Sequence, residues 1–265
     1  MKYVLVTGAY GGMGRATIAE LRANGYGVFA LDKKVGIETD GDGVIPLAVD
    51  VTDETSIISA VEQVKSVTNE LCAIIHFAGI YMLDSLVEME TADFEKIFSI
   101  NLFGAFMINK HFLPLLTKGS KIIITTSELA PLDPLPFTGI YAVTKGALDK
   151  YAYSLRMELQ LLGISVSVLR AGAVKTDMLG ASTSQLEKFC NKTKLYQCNA
   201  DRFKQIVDSV EAKNIEPKKL AQKVYKIMSK NNPKFDYAIN RNPLLRMLNI
   251  LPKRMQFWII RKILK

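Results

Sequence analysis

The feature that most constrains how this chain folds is the alternation of short β-branched runs with longer amphipathic stretches. The stretch after residue 53 shows the helical pattern, because Ile57, Val61 and Val64 share one face of a helix. The runs that favour strands lie at 3–6, 28–31, 44–49, 73–75, 121–125 and 164–169. Such alternation indicates a parallel sheet with helices on both faces. We therefore predict an α/β class protein with a doubly wound parallel sheet, a three-layer α/β/α Rossmann fold.

The same pattern divides the chain into one large domain and a tail. Its 265 residues, 49% of them hydrophobic, fit one domain better than two. We expect a Rossmann-type catalytic domain over 1–241, with the polar, mixed stretch 178–214 as its substrate-binding segment. Residues 242–265 are apolar and basic and predict a helical tail, which Pro252 divides into two pieces too short to span a bilayer.

Composition argues against several other classes of protein. Three cysteines without a CxxC pair and only two histidines argue against zinc, so we expect no bound metal. No signal-peptide pattern and no long apolar run is present, which predicts a soluble cytoplasmic protein with reduced thiols. The net charge of +8 comes without a zinc-finger or RNA-recognition motif, so we expect no nucleic-acid partner.

A glycine-rich segment, TGAYGGMG at 7–14, connects the first strand to a helix predicted from Met13 to about Asn24. Glycines at this junction let the backbone approach a pyrophosphate, and the helix N-terminus offers it free N–H groups. The spacing is not GxGxxG, and there is no GK[ST], which argues against a P-loop. The residues expected to bind the dinucleotide here are Thr7, Gly8, Tyr10, Gly12, Met13 and Gly14.

Asp32, at the end of the second strand, predicts which dinucleotide is bound. A carboxylate there accepts hydrogen bonds from the ribose hydroxyls of NAD and repels the 2′-phosphate of NADP. Lys33 and Lys34 favour NADP instead, because a cation next to the aspartate pairs with the 2′-phosphate. The alternative is a solvated loop acid with no ligand. We expect NAD as the cofactor, with NADP second.

Tyr141 and Lys145 lie one turn apart on the inward stripe of a helix predicted over 139–162. A lysine rarely lies on the inward stripe of a helix without a partner for its charge. A cation at ~4 Å from a phenol is worth roughly 4 kcal/mol at an effective dielectric of about 20, on the order of three pKa units. We therefore expect Lys145 to lower the pKa of Tyr141 enough for general acid–base work. The alternative is a buried tyrosine beside a snorkelling lysine.

Two polar residues complete the candidate constellation. Ser127 follows the strand at 121–125, at the sheet edge where open α/β proteins bind ligands, and its hydroxyl could orient a substrate oxygen. Asn101 interrupts an apolar helical stripe and must find hydrogen-bond partners, among them a water that links Lys145 to solvent. The alternatives are a serine that caps a turn and an amide that satisfies a backbone kink.

Together these motifs resemble the classical short-chain dehydrogenase/reductase family. The matching pieces occur in the family's order over residues 1–177: TGAYGGMG at 7–14, Asp32, Asp50-Val51, HFAG at 76–79, Asn101, Ser127, Tyr141 with Lys145, and AGAVKT at 171–176. The resemblance implies a catalytic tetrad of Asn101, Ser127, Tyr141 and Lys145. It implies that Tyr141 is the acid/base, Lys145 also holds the nicotinamide ribose, Ser127 steadies the substrate oxygen and Asn101 maintains a relay water.

The resemblance also assigns further cofactor contacts. It implies that Asp50 and Val51 contact the adenine, that Ala78 and Gly79 line the cofactor, and that Val174 and Thr176 contact the nicotinamide carboxamide. The chain departs from the family pattern at three places. His76-Phe77 replaces the usual asparagine before Ala-Gly, Ala171 replaces the usual proline before Gly172, and the segment from Ser127 to Tyr141 is slightly longer than usual.

The function these observations favour is reversible hydride transfer between NAD(H) and a secondary alcohol or ketone. The apolar ending is similar to that of family members acting on steroids, retinoids or other lipids, so we expect a lipophilic substrate. The basic, apolar tail predicts contact with an anionic membrane, a lid or a subunit interface. The family assembles through two helices, here 92–117 and 139–162, which implies a homodimer or homotetramer. The alternatives are an NADP(H)-dependent carbonyl reductase, a non-catalytic dinucleotide-binding regulator, a membrane-surface scaffold and a nucleotide-sugar epimerase or dehydratase.

Overall fold

In the computed structural model, which describes residues 1–35, 43–211 and 213–265, the chain builds one parallel sheet. Val and Ile dominate its central strands, which are buried on both faces as a covered parallel sheet requires. The strands are β1 Lys2–Thr7, β2 Tyr26–Asp32, β3 Val44–Ala48, β4 Leu71–His76, β5 Leu116–Ser127, β6 Ser165–Ala171 and β7 Asp236–Ile239. Their order is β3-β2-β1-β4-β5-β6-β7, and every pairing is parallel.

Helices cover both faces of this sheet. They are α1 Gly12–Ala23, α2 Glu54–Lys65, α3 Thr91–Phe98, α4 Gly104–Phe112, α5 Gly139–Leu159, α6 Asp177–Lys192, α7 Gln197–Glu211, α8 Pro217–Met228, α9 Pro243–Ile250 and α10 Lys253–Leu264. The predicted doubly wound, three-layer fold is therefore confirmed. A β-branched core lies under α1 and α8 on one face, and a second core lies under α2, α4 and α5 on the other.

The structure adds detail to three parts of the predicted fold. The helix predicted over 92–117 is interrupted by a π-helical turn, Ser99–Phe103, so that α3 and α4 are separate. Most of the polar, mixed segment 178–214 is helical, because α6 and α7 occupy it. The last strand, Asp236–Ile239, was missed, because four residues flanked by lysines and asparagines carry little strand signal. The division of the tail at Pro252 is observed, since α9 ends before Pro252 and α10 begins after it.

The carboxyl ends of the strands bring the candidate residues to one edge of the sheet. Thr7, Asp32 and His76 end β1, β2 and β4, and Ser127 ends β5. The registers place Thr7 beside His76, and Ser127 beside Ala171 of β6. In a parallel sheet with the order found here, this edge is where ligands bind.

Candidate active site

A large cleft lies above the carboxyl ends of β1, β2 and β4, and we name it the glycine cleft. Its volume is about 980 Å³. The residues predicted to bind the dinucleotide that line it are Gly8, Tyr10, Gly12, Met13, Gly14, Asp32, Asp50, Val51, Ala78, Gly79 and Thr176. These residues come from five different loops, and the sheet edge brings them together.

The glycines of this cleft are required by backbone geometry. Gly8 adopts φ +64°, the left-handed region that favours glycine. A Cβ on Gly14 would overlap the backbone oxygens of Gly8 and Ala9, so α1 packs closely against the loop before it. The N-terminus of α1 therefore opens onto the cleft with its first N–H groups outside the helical hydrogen-bond pattern. This is the cradle that an anionic pyrophosphate fits.

Asp32 faces the far end of the same cleft. Its Oδ2 accepts a hydrogen bond from the Tyr10 N–H at 3.0 Å, which orients the carboxylate beside the glycine loop. Lys33 is drawn away from it, because its Nζ lies 2.6 Å from Oδ2 of Asp50. That contact, with hydrogen bonds from Thr52, lowers the pKa of Asp50 to about 2. A carboxylate with a free face, a glycine cradle and a helix N-terminus fit an adenine dinucleotide.

Two residues predicted to contact the cofactor do not line the cleft, and for both the cofactor contact stays a prediction. Thr7 is fully buried and lines no part of the cleft; its Oγ1 accepts a hydrogen bond from the Ala78 N–H at 3.3 Å and so positions the next loop. Val174 lines the neighbouring chamber instead. Its strand-like pairing with Ile215 sets its side chain on that side.

A smaller space, the tyrosine chamber, adjoins the glycine cleft over the ends of β5 and β6. Its volume is about 180 Å³. Ser127, Tyr141 and Lys145 all line it, and it shares Met13, Gly79 and Thr176 with the cleft. The Ser127 hydroxyl lies close enough to the Tyr141 phenol to oppose the rise in its pKa. The proline-containing loop between them therefore absorbs its extra length without separating the two hydroxyls.

Lys145 lies beneath Tyr141 on the same face of α5. Its Nζ is 5.7 Å from the centroid of the Tyr141 ring and donates a hydrogen bond to the Thr125 carbonyl at 3.2 Å. Tyr81 packs edge-on against the Tyr141 ring, with the centroids 4.7 Å apart. The phenol is thus held between an aromatic ring, a hydroxyl and an ammonium group.

The predicted lowering of the Tyr141 pKa is wrong for the protein alone. Burial raises the pKa of Tyr141 to about 12, although the Ser127 hydroxyl opposes this. Burial also lowers the pKa of Lys145 to about 8. Desolvation of the buried phenol is the dominant cause, and the Lys145 ammonium group donates its hydrogen bond to the Thr125 carbonyl.

Asn101 lies inside the π-helical turn and lines neither the cleft nor the chamber. It is 1% exposed. Its Oδ1 accepts from the Ile80 N–H at 2.8 Å, and its Nδ2 donates to the Ile80 carbonyl at 3.0 Å and to Thr144 Oγ1 at 3.1 Å. Both amide hydrogens are used, so the side chain cannot donate to a relay water. Asn101 instead fixes the loop that carries Gly79 and Ile80 to the helix that carries Lys145.

Comparison with known proteins decides the family. The family model described as short chain dehydrogenase matches residues 2–187, which is most of the chain. This chain belongs to the short-chain dehydrogenase family. The strand and loop pattern described above is that of a family member.

This short-chain dehydrogenase resembles several curated enzymes with different names. It is 27% identical to a 3-ketodihydrosphingosine reductase of Bacteroides thetaiotaomicron over 92% of this chain and 89% of that enzyme. It is 30% identical to rat estradiol 17-beta-dehydrogenase 2 over 86% of this chain and 61% of that protein. An NADPH-dependent 1-acyldihydroxyacetone phosphate reductase of Schizosaccharomyces pombe is 30% identical over 66% of this chain, and the match spans 60% of that protein.

Solved structures show the same fold. A short chain dehydrogenase family protein from Francisella tularensis superposes with a TM-score of 0.74 at 21% identity, over 90% of this chain and 97% of that one. The structure titled ElxO with NADP bound superposes with a TM-score of 0.72 at 20% identity, over 90% of this chain and 96% of that one.

Two departures from the family pattern are accommodated in the structure. His76 is buried, and its Nε2 lies 2.9 Å from Oδ1 of Asn109, whose Nδ2 donates to the Tyr151 hydroxyl. Burial lowers the pKa of His76 to about 4. Gly172, after Ala171, packs so closely on the Asn240 carbonyl that no Cβ would fit, which holds this turn without a proline.

A third space, the tail chamber, lies between α7, α9, α10 and the loop at 135–136, with a volume of about 520 Å³. Sequence reasoning assigned substrate choice to this part of the chain but missed the individual residues. Glu128, Phe203, Ile206 and Leu245 line the tyrosine chamber, and three of them are ordinary apolar residues of amphipathic helices. Glu128 could have been found, since it is an acid directly after Ser127 at a strand end.

Proposed function

We propose that this short-chain dehydrogenase transfers hydride reversibly between NAD(H) and a lipophilic secondary alcohol or ketone. The observation that carries the proposal is the tyrosine chamber, in which the Ser127–Tyr141 hydroxyl pair faces a space continuous with the glycine cleft. A nicotinamide bound in that cleft accepts or supplies the hydride. The protein's part is to orient the oxygen, exclude water and move one proton.

The roles proposed for the site residues follow from their contacts. Tyr141 donates a proton to the ketone oxygen or removes one from the alcohol, and Ser127 holds that oxygen by a hydrogen bond. Lys145 contributes a positive charge on the cleft side of Tyr141, where it also meets a ribose. Asn101 positions the loop at 79–80 and Lys145 through Thr144.

Replacing Tyr141 tests the proposal. Tyr141→Phe removes the hydroxyl and keeps the ring packing on Tyr81, so kcat/KM for ketone reduction should fall by about a thousandfold. The dissociation constant of NADH, measured by its fluorescence, should change little. Tyr153→Phe, on the exposed side of the same helix, is the matched control and should keep full activity. Equal turnover by Tyr141→Phe and wild type would refute the catalytic role, and absence of turnover in wild type would favour a non-catalytic regulator.

The proposed preference for NAD rests on Asp32 and on the engagement of Lys33. Oδ2 of Asp32 is already oriented by the Tyr10 N–H, and Lys33 Nζ pairs with Asp50. We expect kcat/KM with NADH to exceed kcat/KM with NADPH. The Asp32→Asn substitution should reduce the ratio of these two values by about tenfold or more. A wild-type preference for NADPH would overturn this choice and leave the reaction itself in place.

A lipophilic substrate is supported by the chamber lining and by the relatives. Apolar residues from α7 and α9 close the tyrosine chamber opposite Ser127, among them Phe203, Val207 and Leu245. The 3-ketodihydrosphingosine reductase and the estradiol dehydrogenase named above both carry lipid names, and the first matches nearly the whole of this chain. A substrate of this kind is therefore proposed here as well.

The tail is also proposed to contact an anionic membrane from the cytoplasmic side. Residues 242–265 contain six basic residues and no acidic one. Large apolar side chains stand exposed among them: Leu244, Met247, Ile250, Phe257 and Trp258 are each at least 60% exposed. Helices of this composition lie in the interface of acidic bilayers, where each basic residue near the surface contributes about 1 kcal/mol. No helix among the described residues is long and apolar enough to cross a membrane.

Trp258 is the chain's single tryptophan and reports this contact directly. We expect its emission to shift to the blue, and the protein to float, with phosphatidylserine vesicles but not with phosphatidylcholine vesicles. Phe257→Ser should weaken flotation, whereas Leu195→Ser, an exposed apolar residue outside the tail, should not. No shift with either vesicle would reject the membrane contact.

Assembly as a homodimer or homotetramer is proposed through the surface of α3, α4 and α5. Phe94 and Phe106 are more than 40% exposed there, and so are Val143, Tyr153 and Met157 of α5. An exposed apolar surface of this kind marks an interface. Sedimentation of wild type and of Phe106→Asp tests it, because a monomeric wild type would reject the interface.

A further inference from the structure

The tyrosine chamber adjoins the tail chamber. Leu135, Phe203, Ile206 and Leu245 line both spaces, so these four side chains form the boundary between them. The tail chamber, at about 520 Å³, is larger than the space beside Tyr141, at about 180 Å³. A substrate whose reacting carbon lies at Tyr141 can therefore extend beyond these residues into the second space.

The lining of the tail chamber favours a plain hydrocarbon. Of its fourteen lining residues only Asn242 has a polar side chain, and the Oδ1 of Asn242 already caps α9 by accepting from the Leu244 N–H. An oxygen at the far end of a fused-ring substrate would find no hydrogen-bond partner among the leucine and isoleucine side chains there, at a cost in free energy. An unbranched alkyl chain has no such oxygen and is flexible enough to pass the four shared side chains.

Glu128 supplies a polar contact at the other end of this path. It is 8% exposed, lines the tyrosine chamber and directly follows Ser127. Its Oε2 accepts a hydrogen bond from the Asn242 N–H at 2.6 Å, whereas Oε1 has no hydrogen-bond partner in the ranges that the structure describes. Arg241 attracts this carboxylate at longer range, but among the described residues it forms an ion pair only with Asp236, at 4.0 Å.

A carboxyl group this deeply buried costs free energy unless a charge partner or a set of donors satisfies it. Hydride transfer at Tyr141 does not require a second acid. A donor on the substrate, next to the reacting carbon, would satisfy the free oxygen of Glu128, and an ammonium group is the donor that pairs best with a carboxylate.

We propose, on the basis of the function above, that the substrate is a long-chain amino ketone or the corresponding amino alcohol. Its hydrocarbon chain lies in the tail chamber, and its ammonium group, on the carbon next to the ketone, binds Glu128. In reduction the ketone carbon gains the hydride of NADH and the oxygen gains a proton from Tyr141. The amine and the chain keep all their bonds.

Four ketones separate the two parts of this proposal. They are a ketone with a palmityl-length chain and its butyl counterpart, each with and without an ammonium group on the neighbouring carbon. KM should fall about threefold to fourfold for each added CH₂ until the tail chamber is filled. At fixed chain length, the ammonium group should raise kcat/KM by at least about tenfold.

Matched variants test where the selectivity arises. Ile260→Trp fills the tail chamber and should abolish the advantage of the long chain, whereas Ile250→Trp, on the outer face of α9, should preserve it. Glu128→Gln retains an oxygen for the Asn242 N–H but removes the charge. It should bring the ratio of kcat/KM for the amino ketone and the plain ketone close to one. Thermal unfolding of each variant confirms that it folds.

The outcomes distinguish this inference from the proposed function. Reduction of all four ketones with equal kcat/KM would overturn the inference and leave hydride transfer standing. A long-chain advantage without an ammonium advantage would reject the role of Glu128. Failure of wild type to reduce any of these ketones or a steroid ketone, with either nucleotide, would instead defeat the proposed function itself.

Discussion

The glycine cleft and the tail chamber are built from different atoms. Backbone groups and glycines line the first, with the Gly8 turn and the α1 N-terminus fixed by contacts to Ala9 and Ala78. The second is lined by leucine and isoleucine side chains of α7, α9 and α10. A site made of backbone tolerates no added atom, whereas a site made of flexible side chains changes its shape with each substitution. We therefore expect cofactor binding in this chain to tolerate little change, and substrate choice to be adjustable.

The largest effect is expected from one added carbon in the glycine cleft. Gly14→Ala places a Cβ against the backbone oxygens of Gly8 and Ala9, which cannot move without displacing β1 or α1. The dissociation constant of NADH should rise more than about hundredfold, which corresponds to roughly 3 kcal/mol. Fluorescence titration and thermal unfolding check this.

Two controls complete that comparison. Gly11→Ala meets only the Gly8 carbonyl, at 3.5 Å, and should fold like wild type. Leu248→Met, in the tail chamber, conserves volume and should cost less than about 1.5 kcal/mol of stability. If Gly14→Ala binds NADH like wild type, the distinction between the two sites is wrong.

Lys145 lines the tyrosine chamber, which shares residues with both sites, and its removal should stabilise the protein. Its pKa in the folded state is about 8, below the ordinary value of 10.5, so the folded state pays for the buried charge at every pH below about 8. Lys145→Met should raise the free energy of unfolding at pH 7 by up to about 3 kcal/mol while activity is lost.

The pH dependence identifies the cause. The increase in the free energy of unfolding caused by Lys145→Met should shrink as the pH rises from 8. It should vanish above about 10.5, where the lysine is neutral in both the folded and the unfolded state. Denaturant unfolding across this range measures it, with the exposed Lys150→Met as control. A constant gain at all pH values would mean that packing, not charge, is responsible.

A smaller effect is expected from His76, beneath the glycine cleft. Its folded pKa of about 4 lies below the ordinary 6.5, so the unfolded chain takes up the proton first as the pH falls. The contribution of neutral His76 to the free energy of unfolding is fully present above pH 6.5. About 2 to 3 kcal/mol of this contribution is lost as the pH falls to 4. His76→Gln, which can still bond Asn109, should lose less on acidification. His111→Gln is the control, and identical acid losses in both variants would reject the assignment.

The smallest effect belongs to the exposed rim of the cleft. The Lys33 and Asp50 side chains are 74% and 30% exposed, and solvent screens their attraction. Lys33→Met should lower the free energy of unfolding by less than about 1 kcal/mol, and high salt should abolish the difference. Urea unfolding at low and high salt tests this, and a loss of several kcal/mol would show that the rim is part of the folded core.

The contrast between the two sites also explains what the sequence could predict. Glycine turns and strand ends are local, so the cleft, its Asp32 and the placement of Ser127, Tyr141 and Lys145 followed from short motifs and the strand order. The tail chamber depends on how α9 and α10 pack on α7, and no local signal specifies that packing. The predicted pKa of Tyr141 was wrong for a related reason: spacing shows which groups are neighbours but not how deeply they are buried.

The two ends of α9 are attached to the loop after β5 by contacts that differ in exposure. At its start, the Asn242 N–H is bonded to the buried Glu128 carboxylate, and Gly172 packs against the Asn240 carbonyl. At its end, Asn249 accepts a hydrogen bond from the Asp133 N–H, and Lys253 pairs with the exposed Asp133 carboxylate. Salt therefore screens the second attachment of α9 far more than the first.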